Sequence, residues 1–287
     1  ANPTATTTVA ASSLALTANF GWASATAVAE EKYVELFNGK SLDGWVQKGG
    51  KALYRVEDNS IVGQTVPNTP NSFLCTKKNY RDFVLEFEYK CDDAMNSGVQ
   101  FRSTVYDKET TVKIRGKNKK FPAGRVHGYQ CEIDPNKPNR MWSAGIYDEG
   151  RRGWLFPGPG GGDPAAFTKQ GQKIYKKGEW NSVRIVCHGD HIQTWLNNQP
   201  RADLKDGLTA EGFIALQVHG VKNRTEPLQV RWRNIRIAVL DSAARTTQKQ
   251  MPLLFEDDFE NGLGKWEIVN KKSWALQEHG KGKSLSI

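Results

Sequence analysis

From Leu53 to Val239 the chain is a succession of short runs in which apolar and polar residues alternate, each closed by a turn signal. A two-residue period puts successive side chains on opposite faces, so each run predicts a β-strand with one face buried. The runs are Leu53–Val56, Ser60–Gln64, Phe73–Thr76, Phe83–Lys90, Gly98–Arg102, Tyr129–Ile133, Gly145–Tyr147, Asn181–His188, His191–Leu196, Gly212–Val218 and Val230–Val239. Phe83–Lys90 is the clearest, with Phe83, Leu85, Phe87 and Tyr89 on one face and Glu86, Glu88 and Lys90 on the other. Gly189-Asp190 joins two runs and is a hairpin signal. No strand–helix–strand alternation is visible, so the pattern predicts an all-β antiparallel sandwich. One short helix is expected over Asp163–Gln170, with Pro164 in its first turn.

Length allows one large β-domain or two small ones, since the chain has 287 residues, and its 38% hydrophobic content with nine Trp can supply a core. Net charge is +9, but the basic residues are scattered except around Lys113–Lys120 and Arg151-Arg152. Without zinc-finger spacing, an RNP-type strand or a basic helix, nucleic acid is not expected as a partner. Cys75, Cys91, Cys131 and Cys187 form no CxxC pair, so no metal is predicted, and they read as small buried residues. Disulfides stay open if the protein is exported. No HExxH, GxSxG or P-loop pattern occurs, so peptidase, esterase and nucleotide chemistry find no support. No cofactor is expected. Asp134 and Asp257-Asp258 offer hard oxygen ligands for calcium, but no EF-hand-type loop supports it.

Four segments are predicted. Residues 1–29 form an export-signal-like leader: it is rich in Ala, Thr and Ser, carries no charge before Glu30, and pairs an apolar stretch at Val9–Ala18 with the A-x-A pattern Ala27-Val28-Ala29. It lacks a basic n-region, and its apolar stretch is too short and polar for a membrane span. A periplasmic or secreted bacterial protein is the expectation. Residues 30–241 form one all-β unit, 242–252 a linker, and 253–287 the start of a second β-sandwich or a C-terminal extension. Leu254-Phe255-Glu256-Asp257 leading to Gly264-Lys265-Trp266 parallels Leu36-Phe37-Asn38-Gly39 leading to Gly44-Trp45. So short a piece cannot build its own core, so it packs on the main unit or begins something longer.

Three strands carry rows of polar residues that point to function. In Gly128-Tyr129-Gln130-Cys131-Glu132-Ile133-Asp134, Gln130, Glu132 and Asp134 share one face. Ser97–Arg102 presents Gln100 and Arg102, and Ile214–His219 presents Gln217 and His219. If the strands are neighbours, one face offers two acids, an arginine, a histidine and three amides, a set that could bind a sugar and move protons on it. The plainer alternatives are a cross-strand ion pair between Glu132 and Arg102, and a single structural hydrogen bond at His219. Two long connections, Val105–His127 and Asp148–Trp180, flank the Gln130–Asp134 strand and are expected to wall its polar face.

These pieces, in order, carry a resemblance. Leu36-Phe37-Asn38-Gly39 with Leu42-Asp43-Gly44-Trp45, Ser97–Arg102, Gly128–Asp134, Gly145-Ile146-Tyr147-Asp148, Glu179-Trp180-Asn181, Gly212–Gly220 and Arg233-Asn234-Ile235-Arg236-Ile237 together resemble the 3-keto-disaccharide hydrolase domain over about Tyr33–Leu240. The stretch Tyr147–Gly153 looks most like members from planctomycete-type bacteria. The resemblance implies a concanavalin A-like jelly-roll sandwich of two antiparallel sheets and cleavage of 3-keto-glycosides, by net hydrolysis or by 1,2-elimination and hydration. A 3-keto group acidifies the C2–H, so such a site needs a base near C2, an acid at the leaving oxygen and a donor at the C3 oxygen. On chemistry, Glu132 and His219 are the candidate base and acid, in either order, and Arg102 the group at the C3 oxygen. Gln100, Gln130, Asp134 and Gln217 would hold hydroxyls, with Tyr147, Trp154 and His127 contributing from the loops. The alternatives are a non-catalytic, lectin-like carbohydrate-binding module and a structural or surface-assembly domain.

Overall fold

The computed structural model describes residues 32–135 and 139–240, and two strands near the C-terminus. The leader 1–29, the linker 242–252 and most of 253–287 lie outside the described residues. The chain first forms β1 (Val34–Glu35), β2 (Trp45–Gly49), β3 (Leu53–Glu57), β4 (Ser60–Gln64), β5 (Ser72–Tyr80) and β6 (Phe83–Cys91). It continues through β7 (Ser97–Thr104), β8 (Thr110–Ile114), β9 (Lys117–Phe121), β10 (His127–Ile133), β11 (Ile146–Glu149) and β12 (Gly153–Phe156). After helix α1 (Pro164–Ile174) come β13 (Asn181–His188), β14 (His191–Leu196), β15 (Gln199–Lys205), β16 (Gly212–Val218) and β17 (Gln229–Val239).

The strands make two antiparallel sheets, the sandwich that the two-residue period predicts and the jelly roll that the resemblance implies. The first runs β15-β14-β13-β6-β17-β4-β3 with β1 on β17, and the second runs β12-β11-β10-β7-β16-β5-β2. Neighbours in each sheet are mostly distant in sequence, so the sheets close only when the whole unit folds. Their inner faces meet in one core. Phe83, Leu85, Phe87 and Tyr89 of β6, with Val183, Ile185 and Cys187 of β13, pack with Val99, Phe101, Tyr129, Cys131, Ile133 and Leu216 of the second sheet. Each such side chain contributes roughly 1.5–3 kcal/mol by leaving water. All four cysteines are buried free thiols.

The two long connections are more structured than their composition suggests. Val105–His127 contains the β8–β9 hairpin, turning at Arg115 and Gly116, both at positive φ. The run of charge around Lys113–Lys120 hid its alternation. Phe121 at the hairpin's end stacks on His127, with ring centroids 4.0 Å apart, and Val126 joins Phe73, Cys75, Phe213 and Ala215 in a small cluster on the outer face of the second sheet. The connection thus covers part of that face. In Asp148–Trp180, Asp163 caps α1 by accepting from the Ala166 backbone N–H at 2.7 Å. Trp142 Nε1 donates to Thr168 Oγ1 of the helix at 2.9 Å.

Backbone contacts divide the chain after Val239. In the second unit, Ala275–His279 (β18) pairs with Gly282–Ser286 (β19) as an antiparallel hairpin. No helix among the described residues is long and apolar enough to cross a membrane.

Candidate functional site

β10 is the spine of the site because its neighbours on both sides also carry polar rows. β7 and β11 flank it, and β16 lies beyond β7. Gln130 pairs with Gln100 on one side and with Tyr147 on the other. With Tyr129, Cys131 and Ile133 in the core, Gln130 and Glu132 must face outward. A cleft of about 270 Å³ opens there, lined by Asn96, Gln130, Glu132, Arg140, Tyr147, Glu149, Trp154, Gln217 and His219.

A relay of amides holds the carboxylates. Ser103 Oγ donates to Gln100 Oε1 at 2.7 Å, Gln100 Nε2 to Gln130 Oε1 at 2.5 Å, and Gln130 Nε2 to Glu132 Oε2 at 2.6 Å. Asn96 Nδ2 donates to the other Glu132 oxygen at 2.6 Å. Gly98, between Asn96 and Gln100 on the same face, leaves room for the relay: a Cβ there would lie 2.5 Å from Gln130 Cδ. Burial is nevertheless the stronger influence on Glu132. It pushes the carboxyl up from 4.5 to about 8, helped by the charges of Asp134 and Glu149 and opposed by the Asn96 and Gln130 hydrogen bonds. Burial also raises Glu149, but Arg125, His219 and Gln217 pull it back. Arg125 Nη2 donates to Glu149 Oε1 at 2.8 Å, and Gln217 Nε2 reaches Glu149 Oε2 at 3.5 Å. Gln217 Oε1 is buried with no hydrogen-bond partner, an acceptor left for something the cleft receives.

The opposite wall is aromatic. Trp154 packs edge-on to Tyr147 at 5.4 Å and to Trp142 at 4.6 Å. The Arg140 guanidinium lies 4.8 Å from the Trp142 ring centre and 5.2 Å from that of Trp154, with Nε donating to Asp134 Oδ2 at 2.7 Å.

Six of the ten predicted site residues line this cleft: Gln130, Glu132, Tyr147, Trp154, Gln217 and His219. Gln100 and Asp134 sit behind it as supports. Asp134 Oδ2 holds Arg140, and Asn96 Nδ2 lies 3.5 Å from its Oδ1. His127 is a correction. Its ring is buried between Phe121 and Tyr106, its Nδ1 donates to Arg125 O at 3.0 Å, and burial lowers its pKa, so it anchors the hairpin.

Arg102 is the larger correction. It has φ 44°, and pairing slips on both sides of it, between His127 and Tyr129 and between Phe213 and Ala215. This bulge breaks the two-residue count, so Arg102 leaves the polar row. Its guanidinium is fully buried at the end of the sandwich, donating to Arg81 O (2.7 Å), Gly189 O (2.7 Å) and Asp82 Oδ1 (2.9 Å). Asn96, Arg140 and Glu149 are the residues that sequence reasoning missed. Glu149 shares the parity of Tyr147, and Asn96 that of Gly98 and Gln100, so the alternation could have found both.

A larger hollow of about 460 Å³ lies on the outer face of the first sheet. Two of its three carboxylates are spent on cross-strand pairs, Glu86 with Arg184 and Arg236 and Glu88 with Arg233, and the third, Glu35, stands opposite Arg236 in the strand register. None of the candidate residues lies there. Among the described residues, no group of three or more His, Cys, Asp and Glu is placed to hold a metal ion.

No curated protein matches the chain. Among solved structures, a protein provisionally called a glycosyl hydrolase from Parabacteroides distasonis is 22% identical, with 73% of this chain and 94% of that one covered at a TM-score of 0.46. A Bacillus subtilis carbohydrate-binding module is 13% identical, with 68% and 95% covered at a TM-score of 0.41. A Bacillus subtilis protein of unknown function with a galectin-like fold is 11% identical, with 72% and 98% covered at 0.46. A sequence model of one family matches residues 32–238, which contain the cleft and every strand of the sandwich but the last residue of β17, and the chain belongs to that family, the 3-keto-α-glucoside-1,2-lyase-like domain.

Proposed function

We propose that the protein is an exported enzyme that cleaves 3-keto-glycosides by removing the C2 proton and expelling the C1 substituent. The observation that carries this reading is two buried carboxyls in one cleft with different partners: Glu132, raised by burial to about 8, accepts from the Asn96 and Gln130 amides, whereas Glu149, also raised by burial, is ion-paired with Arg125 at 2.8 Å. A shell of neutral amides suits the acid, and an arginine partner suits the base. Glu149 takes the proton from C2. As the C1–O bond breaks and a C1–C2 double bond forms, protonated Glu132 gives its proton to the departing oxygen. Arg140, held by Asp134 against the two Trp rings, places positive charge near the C3 oxygen, where negative charge gathers. Trp154 and Tyr147 stack on the sugar, and Gln217 Oε1 accepts from a hydroxyl. His219 sits at the mouth beside Glu149, with Nδ1 donating to Gly220 O at 2.9 Å, so that its ring can meet a sugar hydroxyl. Water added to the unsaturated product completes net hydrolysis.

A second reading is carbohydrate binding without turnover, supported by the aromatic wall and the amide relay, which suit sugar hydroxyls whatever follows. Incubating the protein with a 3-keto-glucoside and with its unoxidised parent separates the two. Release of the C1 substituent from the keto sugar alone supports the enzyme. Binding of sugar with no release supports the module.

The pH dependence is a further test. Glu132 must carry its proton to act as acid, so kcat/KM falls about tenfold per unit above about pH 8. Stability follows the same group. The folded protein binds this proton more tightly than the unfolded chain does, so stability declines as pH rises from 4.5 to about 8. A pH–rate profile and urea melts at several pH values check both. An alkaline limb absent below pH 10 would remove Glu132 as the acid.

A further inference from the structure

We propose that a basic cleft beside the candidate site is a subsite for a negatively charged group, a carboxylate or sulfate, on the C1 substituent of the substrate. This rests on the 3-keto-glycoside reading and names the class of glycoside that the site takes.

The second cleft, of about 380 Å³, is lined by Lys119, Lys120, Phe121, Arg125, Tyr147, Glu149 and Arg151, among others. It shares Tyr147 and Glu149 with the first cleft, so a ring seated over Glu132 would send its neighbour toward the lysines. Phe121 and Pro122 add an apolar surface for that neighbour.

The charge in this cleft is unbalanced. Four cationic side chains line it against two carboxylates, Asp148 and Glu149. Both carboxylates are already engaged. Asp148 is fully buried and accepts from Arg151 and Arg152, and Glu149 accepts from Arg125. Lys120 pairs with Glu109 at 2.8 Å across exposed side chains, a weak contact. Arg151 is built into the wall, with Nε on Asp148, Nη1 donating to Thr209 Oγ1 at 3.2 Å and its guanidinium over the Tyr129 ring at 4.8 Å. The accessible cations are Lys119, with no carboxylate of its own among the described residues, Lys120 and the half-exposed Arg125, and together they offer an anion charge-assisted donors. The placement also gives a use to the charge of the Lys117–Phe121 strand, which β-strand formation alone does not call for.

The test is equilibrium binding with unoxidised glucosides, which read the subsite without turnover. Phenyl, 4-carboxyphenyl and 4-sulfooxyphenyl glucosides are titrated into the full chain and into a Lys119→Glu, Lys120→Glu variant. The lysines lie at the surface, so the exchange leaves the core intact. The charged glucosides are expected to bind roughly tenfold tighter than the neutral one at low salt, and the advantage should shrink in about 0.5 M salt. In the variant the ratio of charged to neutral affinity should collapse to one or below. The stronger of the two charged ligands identifies carboxylate or sulfate as the preferred group. Equal affinities in the native protein, no measurable binding of the charged ligands, or a ratio unmoved in the variant would each overturn the subsite. Turnover of 3-keto phenyl glucoside without charge selectivity would defeat the subsite and leave the reaction standing. Charge selectivity without turnover would do the reverse.

Discussion

Glu132→Gln is expected to lower kcat/KM for a 3-keto-glucoside by about a thousandfold while the protein stays folded. The loss follows from the proton, since glutamine cannot give one to the leaving oxygen. The fold should survive because the replacement has the same shape and stays in the amide relay. One donor must turn, since Asn96 and Gln130 both donate to the carboxyl oxygens, and Asn96 is only partly buried. The variant has a second signature. It removes a buried group that ionises at about 8, so the decline of stability between pH 4.5 and 8 should flatten. Sugar binding should persist. A variant that keeps turnover would exclude Glu132 as the acid, and one that loses sugar binding along with its fold would mark it as structural. The same substitution in a lectin-like module would cost modest affinity and no turnover.

Arg102→Met should destabilise the sandwich by about 3–5 kcal/mol, or roughly 6–20 °C in Tm for a domain of this size, without touching the chemistry of the molecules that remain folded. Arg102 and Asp82 are an ion pair with the arginine fully buried, and its removal strands a carboxylate together with the carbonyls of Arg81 and Gly189. Asp82 also accepts from the Gly189 backbone N–H at 2.9 Å, so the arginine ties the β5–β6 turn to the β13–β14 turn and hence one sheet to the other. Arg102→Lys should rescue little, because an ammonium cannot reach three acceptors in a plane as a guanidinium does. Urea melts measure the loss, and turnover per folded molecule measures the chemistry. Intact stability with lost turnover would return Arg102 to the site.

These two residues also show where a sequence is legible. Alternation in β6, β10 and β16 reports burial directly, so it gave the sandwich, its inner face and the row that carries Gln130, Glu132 and Gln217. The same rule misplaced Arg102 because a bulge is a one-residue event that composition does not mark, and past it every side chain changes face. Glu149 obeyed the rule but looked like a turn residue next to Gly150. Its importance comes from the pairing of β11 with β10, which only the folded sheet supplies. Arg140 could not be read at all, since it arrives from a connection with no periodicity. The β8–β9 hairpin was hidden for a different reason: Val112 and Ile114 alternate in β8, but Lys117-Asn118-Lys119-Lys120 of β9 is polar throughout and hides the pattern.

The central claim is that the protein removes the C2 proton of a 3-keto sugar. Its most direct test is to incubate the protein with a 3-keto-glucoside in heavy water and follow products by NMR, with the unoxidised glucoside as control. The account predicts release of the C1 substituent from the keto sugar alone, with deuterium at C2 of the hydrated product. Release without deuterium at C2, or release from both sugars alike, would contradict it.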